Sequence, residues 1–195
     1  MAAKEKDESS SKQPDVSTKE PSPPLRTFSW TYWLILTTVV ASLVFYFVRG
    51  TARAKAEASK PVFLLDAQFG FTPAGALETL RALNPKGRAI YKELNMVDFL
   101  IAPVVFREYL INTFPATTTN RDSVRDMLAN TYLIGDLLEN ICVSIMLKTY
   151  PRMIDIVAWI GCAGNVTKNI SFMSAIAAVL YEGYIWIRKE KVKTQ

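Results

Sequence analysis

The stretch TYLIGDLLENICVSIMLKTYP, residues 131–151, constrains the fold more than any other part of the chain. It is apolar enough to cross a bilayer, yet Asp136, Glu139 and Asn140 stand in its middle, where ionised groups are costly. Their i, i+3, i+4 spacing puts all three on one face of a helix. Any fold must bring a compensating group to that face.

The next apolar stretch supplies one. Asn165, Lys168 and Asn169 repeat the same spacing, and one of them is cationic. In a hairpin turning about Arg152, residues whose numbers total about 304 share a depth, so Asp136 is expected against Lys168 and Glu139 against Asn165. Ala158, Gly161, Gly164, Ala175 and Ala178 are small enough for close helix approach in a membrane. Two carboxylates against one ammonium leave a surplus charge, to be met by a proton, by Arg107 or by a cavity. Two readings of this cluster stand side by side: a polar clasp that fixes helix pairing, and a functional site. The sequons NVT (165–167) and NIS (169–171) carry a competing topology, with 165–169 an exposed luminal break, 153–164 re-entrant and 170–187 the last span.

The block WTYWLILTTVVASLVFYFV (30–48) is free of charge and long enough to span a hydrocarbon core of about 30 Å. Trp30, Tyr32 and Trp33 at one end and Phe45, Tyr46 and Phe47 at the other have the placement of interfacial aromatic belts. The block lies far from the first residue and is long for a signal peptide, so it is read as a retained anchor. Residues 1–28 mix Lys, Glu, Asp, Ser and Pro, as a disordered tail does, and their acidic residues argue against a mitochondrial presequence.

Between these blocks, 61–71 is a short apolar run expected to be extended or interfacial. Thr72-Pro73 marks the start of a short amphipathic helix over 73–83, and Asn84, Pro85 and Gly87 read as a break before 88–114. That segment holds Asp98 near one end of its apolar part, Pro103 inside it and Arg107 toward the other end, placed to snorkel. Asp98 and Asp155 are expected at the interface. Ser123 and Asp126 have the spacing of a capping box for the next helix.

The expected fold is therefore all-α, a membrane-embedded four-helix bundle over 29–188. Its spans lie at about 30–48, 96–114, 127–149 and 153–187, with the short amphipathic helix between the first and second, and a basic tail at 189–195.

The order Asp66, Phe71-Thr72, Gly87-Arg88, Tyr91, Asp98, Pro103, then Asp136-Leu-Leu-Glu139-Asn140, then Thr167-Lys168 resembles an uncharacterised group of small four-span membrane proteins, over residues 63 to about 185. The resemblance implies a four-helix membrane fold and brings no activity with it. Vitamin K epoxide reductase-like proteins need a C-x-x-C pair that this chain lacks, and sterol-isomerase-like proteins rely on a histidine, of which it has none.

The absence of histidine removes the commonest acid–base group and the usual zinc ligand. Cys142 and Cys162 sit singly in apolar segments, as buried thiols do. The net charge of +5 comes from lysines and arginines beside apolar blocks and in mixed-sign tails, an arrangement that fits a lipid surface and excludes a nucleic-acid module. No cofactor, metal site or catalytic constellation is expected. The function expected is that of a non-catalytic accessory or assembly factor, with the bilayer and other membrane proteins or lipids as partners. The alternative is a lipid-modifying enzyme or a small-solute or proton transporter that uses Asp136, Glu139 and Lys168. Flanking charges balance too closely to orient the chain. Lys191 and Lys193 in KVKTQ resemble a dilysine retrieval signal, which places the termini in the cytosol and the chain in the endoplasmic reticulum.

Overall fold

A computed structural model describes residues 30–113 and 119–193, so the tail at 1–28 and the connection at 114–118 lie outside the described residues. The described chain is all-helical: α1 (Trp30–Ala56), α2 (Pro73–Ala82), α3 (Pro85–Leu100), α4 (Ala102–Thr113), α5 (Thr119–Thr149) and α6 (Asp155–Lys193). A single 3-10 turn, Leu65–Ala67, interrupts the 61–71 run.

Local chemistry sets most of these boundaries. Thr72 caps α2, its hydroxyl accepting from the Gly75 amide, with Pro73 in the first turn. Asn84 does the same for α3, accepting from the Gly87 amide ahead of Pro85. Residues 84–87 are thus a helix start, not the expected break. The 88–114 segment is in turn two helices: Ile101 leaves helical geometry two residues before Pro103, whose ring removes a backbone donor. Because α5 begins at Thr119, position 123 falls inside the helix and not at its start, and Asp126 pairs with Arg125.

The helices alternate in direction. Tyr46 of α1 meets Glu93 of α3, and Tyr32 near the other end of α1 meets Asn112 of α4, so α3 and α4 together run back along α1. α5 reverses again, with Asn95 against Asn140 and Arg107 against Asn130. Arg107 is therefore held by α5 and by its neighbour Glu108, away from the Lys168 cluster. On α6, Cys142 faces Gly161, Glu139 meets Asn165, Asp136 meets Lys168 and Tyr132 meets Phe172, an unbroken antiparallel register.

α6 is continuous through 165–169 and Asn165 is fully buried, which overturns the re-entrant topology and its exposed sequons. The 61–71 run is extended on either side of its 3-10 turn, with Phe63 and Phe69 exposed. It is tucked inward, with Leu64, Leu65 and Phe71 buried in a core that includes Ala54, Leu80, Leu83, Tyr91, Val143 and Met146. At the surface, Lys86 and Asn84 bond the Glu57 carboxyl and hold it below its ordinary range, tying the end of α1 to the start of α3.

The closest approach is at the α5–α6 crossing. A Cβ on Gly164 would lie 2.7 Å from the Gly135 carbonyl oxygen, and one on Gly135 would lie 2.9 Å from the Gly164 oxygen and the Lys168 nitrogen. The neighbours are backbone and cannot rotate away. Gly164→Ala should therefore cost about 1–3 kcal/mol, read as a lowered unfolding temperature. Ala163→Leu, one residue away on the exposed face, should leave it unchanged.

Candidate functional site

α5 and α6 deliver a buried ionic cluster just beside that glycine contact. Lys168 Nζ lies 2.8 Å from Asp136 Oδ1 and 2.5 Å from Glu139 Oε2, so one ammonium bridges two carboxylates a helical turn apart. Asp136 and Glu139 are 1% and 0% exposed, and Lys168 is 8% exposed. Burying such charges is expensive, and the short bridging geometry is what offsets it.

Asn165 closes the next layer. Its Nδ2 donates to Glu139 Oε1 at 2.7 Å and to the Leu65 carbonyl at 3.3 Å, while its Oδ1 accepts from the Gly70 amide at 2.8 Å and from Asn169 Nδ2 at 3.1 Å. Both donors and both acceptor positions of the amide are used. Phe71 N donates to Cys162 Sγ and Asn169 Nδ2 to the Gln68 carbonyl, so three residues of α6 hold the 61–71 loop. Gly70 has φ +88, a conformation that only glycine adopts freely, and a Cβ there would crowd Val166.

That loop carries a further carboxylate. Asp66 sits beside Tyr91, a buried residue whose hydroxyl accepts from the Leu65 amide and so fixes the loop to α3. α3 adds Asn95, donating to the Asn140 carbonyl and to Ser144, and Asp98, which faces Asn140 and Asp136. Asp98, half-buried, thus adds a carboxylate beside the cluster, because α3 continues past Asn95 along the same face. Asp155, in the first turn of α6, is exposed.

Of the six residues singled out from the sequence for the cluster, Asp136, Glu139, Asn165 and Lys168 interlock. Asn169 joins through Asn165 and the loop, and Asn140 is buried beside them with its side-chain atoms outside any completed hydrogen bond. The side chains of Lys191 and Lys193 lie outside the described ones. Asp66, Tyr91, Asn95, Asp98 and Gly135 were not placed in the cluster from the sequence. Asp66, Tyr91 and Asp98 stood in the order of residues that carries the resemblance, whereas Asn95 and Gly135 had no signal separating them from ordinary packing residues. Among the described residues, no set of three or more acidic or sulfur side chains is arranged to hold a metal ion.

Comparison with known protein families, with characterised proteins and with solved structures found no match.

The bridge predicts a non-additive pattern. Lys168→Met leaves two buried carboxylates uncompensated and Asp136→Asn leaves one partner, so each should destabilise, the lysine variant more, by about 3–5 kcal/mol. The double variant should be milder than the sum by about 1–3 kcal/mol in a double-mutant cycle of unfolding. Separately, Asn165→Ala should free the 61–71 loop. Amide exchange at Gly70 and Phe71 should rise while the amides of α5 stay protected.

Proposed function

We propose that this chain is a four-span integral membrane protein whose buried cluster is a clasp for the bundle, and that its role is non-catalytic: an accessory or assembly factor. The observation that carries the membrane reading is the inverted distribution of side chains. On α5, Ile134, Leu138, Ile141 and Ile145 face outward while Asp136, Glu139 and Asn140 face inward. On α6, Ile156, Trp159, Ile160, Ile170, Met173 and Leu180 are exposed while Asn165, Lys168 and Ser171 are buried. In water this arrangement wastes apolar burial on two helices at once. In lipid it turns apolar side chains to an apolar solvent and keeps the charges inside.

By length and composition alone, one helix among the described residues is long and apolar enough to cross a membrane, α1 near the N-terminus, where a signal sequence would meet the same measure. Its packing supports retention: Gly50 is buried against Leu94, and Tyr46 and Tyr32 bond residues of α3 and α4. The polar residues of α5 and α6 lower their average apolarity but point inward, so they do not oppose a lipid-facing position. The broken α3–α4 pair would be the second span.

The clasp reading is supported by the partners. Lys168, Asp136, Glu139 and Asn165 bond chiefly to one another and to the loop. Both carboxylates are engaged by the one ammonium, which fits a structural clasp.

Two measurements test this. The chain should stay in the pellet after alkaline carbonate extraction of membranes, with Asn165 unglycosylated. Cells lacking it should keep their lipid profile while one membrane complex falls in abundance. Accumulation of one lipid or solute, reversed by wild type but not by Glu139→Gln at equal abundance, would overturn the non-catalytic role in favour of a site that uses the carboxylates.

A further inference from the structure

We propose that the cluster binds one small monovalent cation, a proton or a sodium ion, between Asp136, Asn140 and Asp98, on the side of Asp136 turned away from Lys168. The inference rests on the clasp reading and deepens it: the clasp is complete only with that charge in place.

Four carboxylates act on Lys168: Glu139, Asp136, Asp98 and Asp66. Among the described residues, Arg107 bonds Asn130 and Glu108, and Arg88 turns to the Leu80 and Leu83 carbonyls, so neither is directed at these carboxylates. Asp136 and Glu139 are fully buried, so one ammonium leaves a surplus negative charge in a low-dielectric interior, with half-buried Asp98 and Asp66 adding to the field. The imbalance has a location. Asp136 spends Oδ1 on Lys168, and its Oδ2 is buried with no hydrogen-bond partner. One turn along the same face, Asn140 is 1% exposed and its side-chain amide stands against the Asp98 carboxyl, with neither polar atom in a well-aligned hydrogen bond. Asp98 of α3 faces both.

Orphaned buried polar atoms are each costly, and native structures seldom leave three of them together. A carboxylate oxygen, an amide oxygen and a second carboxylate are hard oxygen donors, suited to an alkali cation or to a shared proton. Asp136 and Glu139, the two fully buried carboxylates, leave one negative charge against the single ammonium, which one monovalent cation balances, whereas Asp98 and Asp66 are half-buried. The groups facing this point are Asp66 from the loop, Tyr91 and Asp98 from α3, Tyr132, Asp136 and Glu139 from α5, and Lys168 from α6. The phenols of Tyr91 and Tyr132 stay neutral near pH 7, so the carboxylates are the groups whose charge the bound cation balances.

The test uses the full chain in detergent, melted at constant ionic strength in sodium or in N-methylglucamine chloride, from mildly acidic to mildly alkaline pH. If the cation is sodium, the melting temperature at alkaline pH should rise saturably by about 5–10 °C at a hundredfold excess over Kd. Acid should then substitute for sodium. If it is a proton, the folded chain holds a proton that the unfolded chain releases, so the melting temperature should fall as pH rises, with or without sodium. Asp98→Asn should abolish either dependence and Asp155→Asn should preserve it; Asp98→Ser serves if the first variant folds poorly. A wild-type melting temperature indifferent to both sodium and pH, or an Asp98→Asn chain with wild-type dependence, overturns the site. Release of the chain by alkaline carbonate would instead overturn the membrane reading, so the two failures are told apart.

Discussion

The ammonium of Lys168, set between Asp136 and Glu139, is the interaction on which the remaining structure depends. Its short distances require α5 and α6 to approach more closely than side chains normally permit, and Gly135 and Gly164 make that possible by meeting backbone to backbone. The dependence runs the other way too. A glycine contact alone is a weak and slippery surface, and the ionic bridge one turn away fixes its register. Buried pairs of this kind contribute little net stability compared with apolar packing, but they penalise every misaligned pairing heavily. Register, more than stability, is what the cluster confers.

Asn165 extends that order beyond the two helices. By bonding Glu139 and the backbone of the 61–71 loop at once, it makes the loop and the ion pair a single hydrogen-bonded unit. The loop in turn brings Asp66 and orders Tyr91 of α3 through the Leu65 amide. The buried network thus joins α3, α5, α6 and the loop, while α1 stands outside it and packs on α3 and α4 by small-residue contact at Gly50 and by polar bonds near its ends.

Much of this was legible in the sequence because it followed helical spacing. Asp136, Glu139 and Asn140 on one helix and Asn165, Lys168 and Asn169 on the next declare both a face and a partner, and a hairpin fixes which residue meets which. Contributions from α3 and the loop were not legible, since Asp98 and Asp66 are near segment ends where acids ordinarily meet water. Their inward placement depends on how α3 crosses α5, and no local pattern encodes a crossing. Asn84-Pro85 was misread as a break because turn residues and helix starts use the same amino acids; only the position of the side-chain oxygen under the Gly87 amide separates them. The interruption at Ile101 has its signal in Pro103, but a proline alone does not say whether a helix bends or ends.

The central claim, that apolar side chains face lipid and charges face inward, is tested most directly by solvent accessibility along α5. In a background with Cys142 and Cys162 replaced by alanine, a nitroxide would be attached at Ile134→Cys, Leu138→Cys, Ile141→Cys or Ile145→Cys, and each protein reconstituted in vesicles. Power saturation then compares collision with oxygen, which concentrates in hydrocarbon, against collision with a water-soluble nickel chelate. The account predicts high oxygen and low nickel accessibility at all four positions, deepest near the level of the Asp136–Lys168 pair. High nickel accessibility at these positions would place the apolar face in water and contradict it.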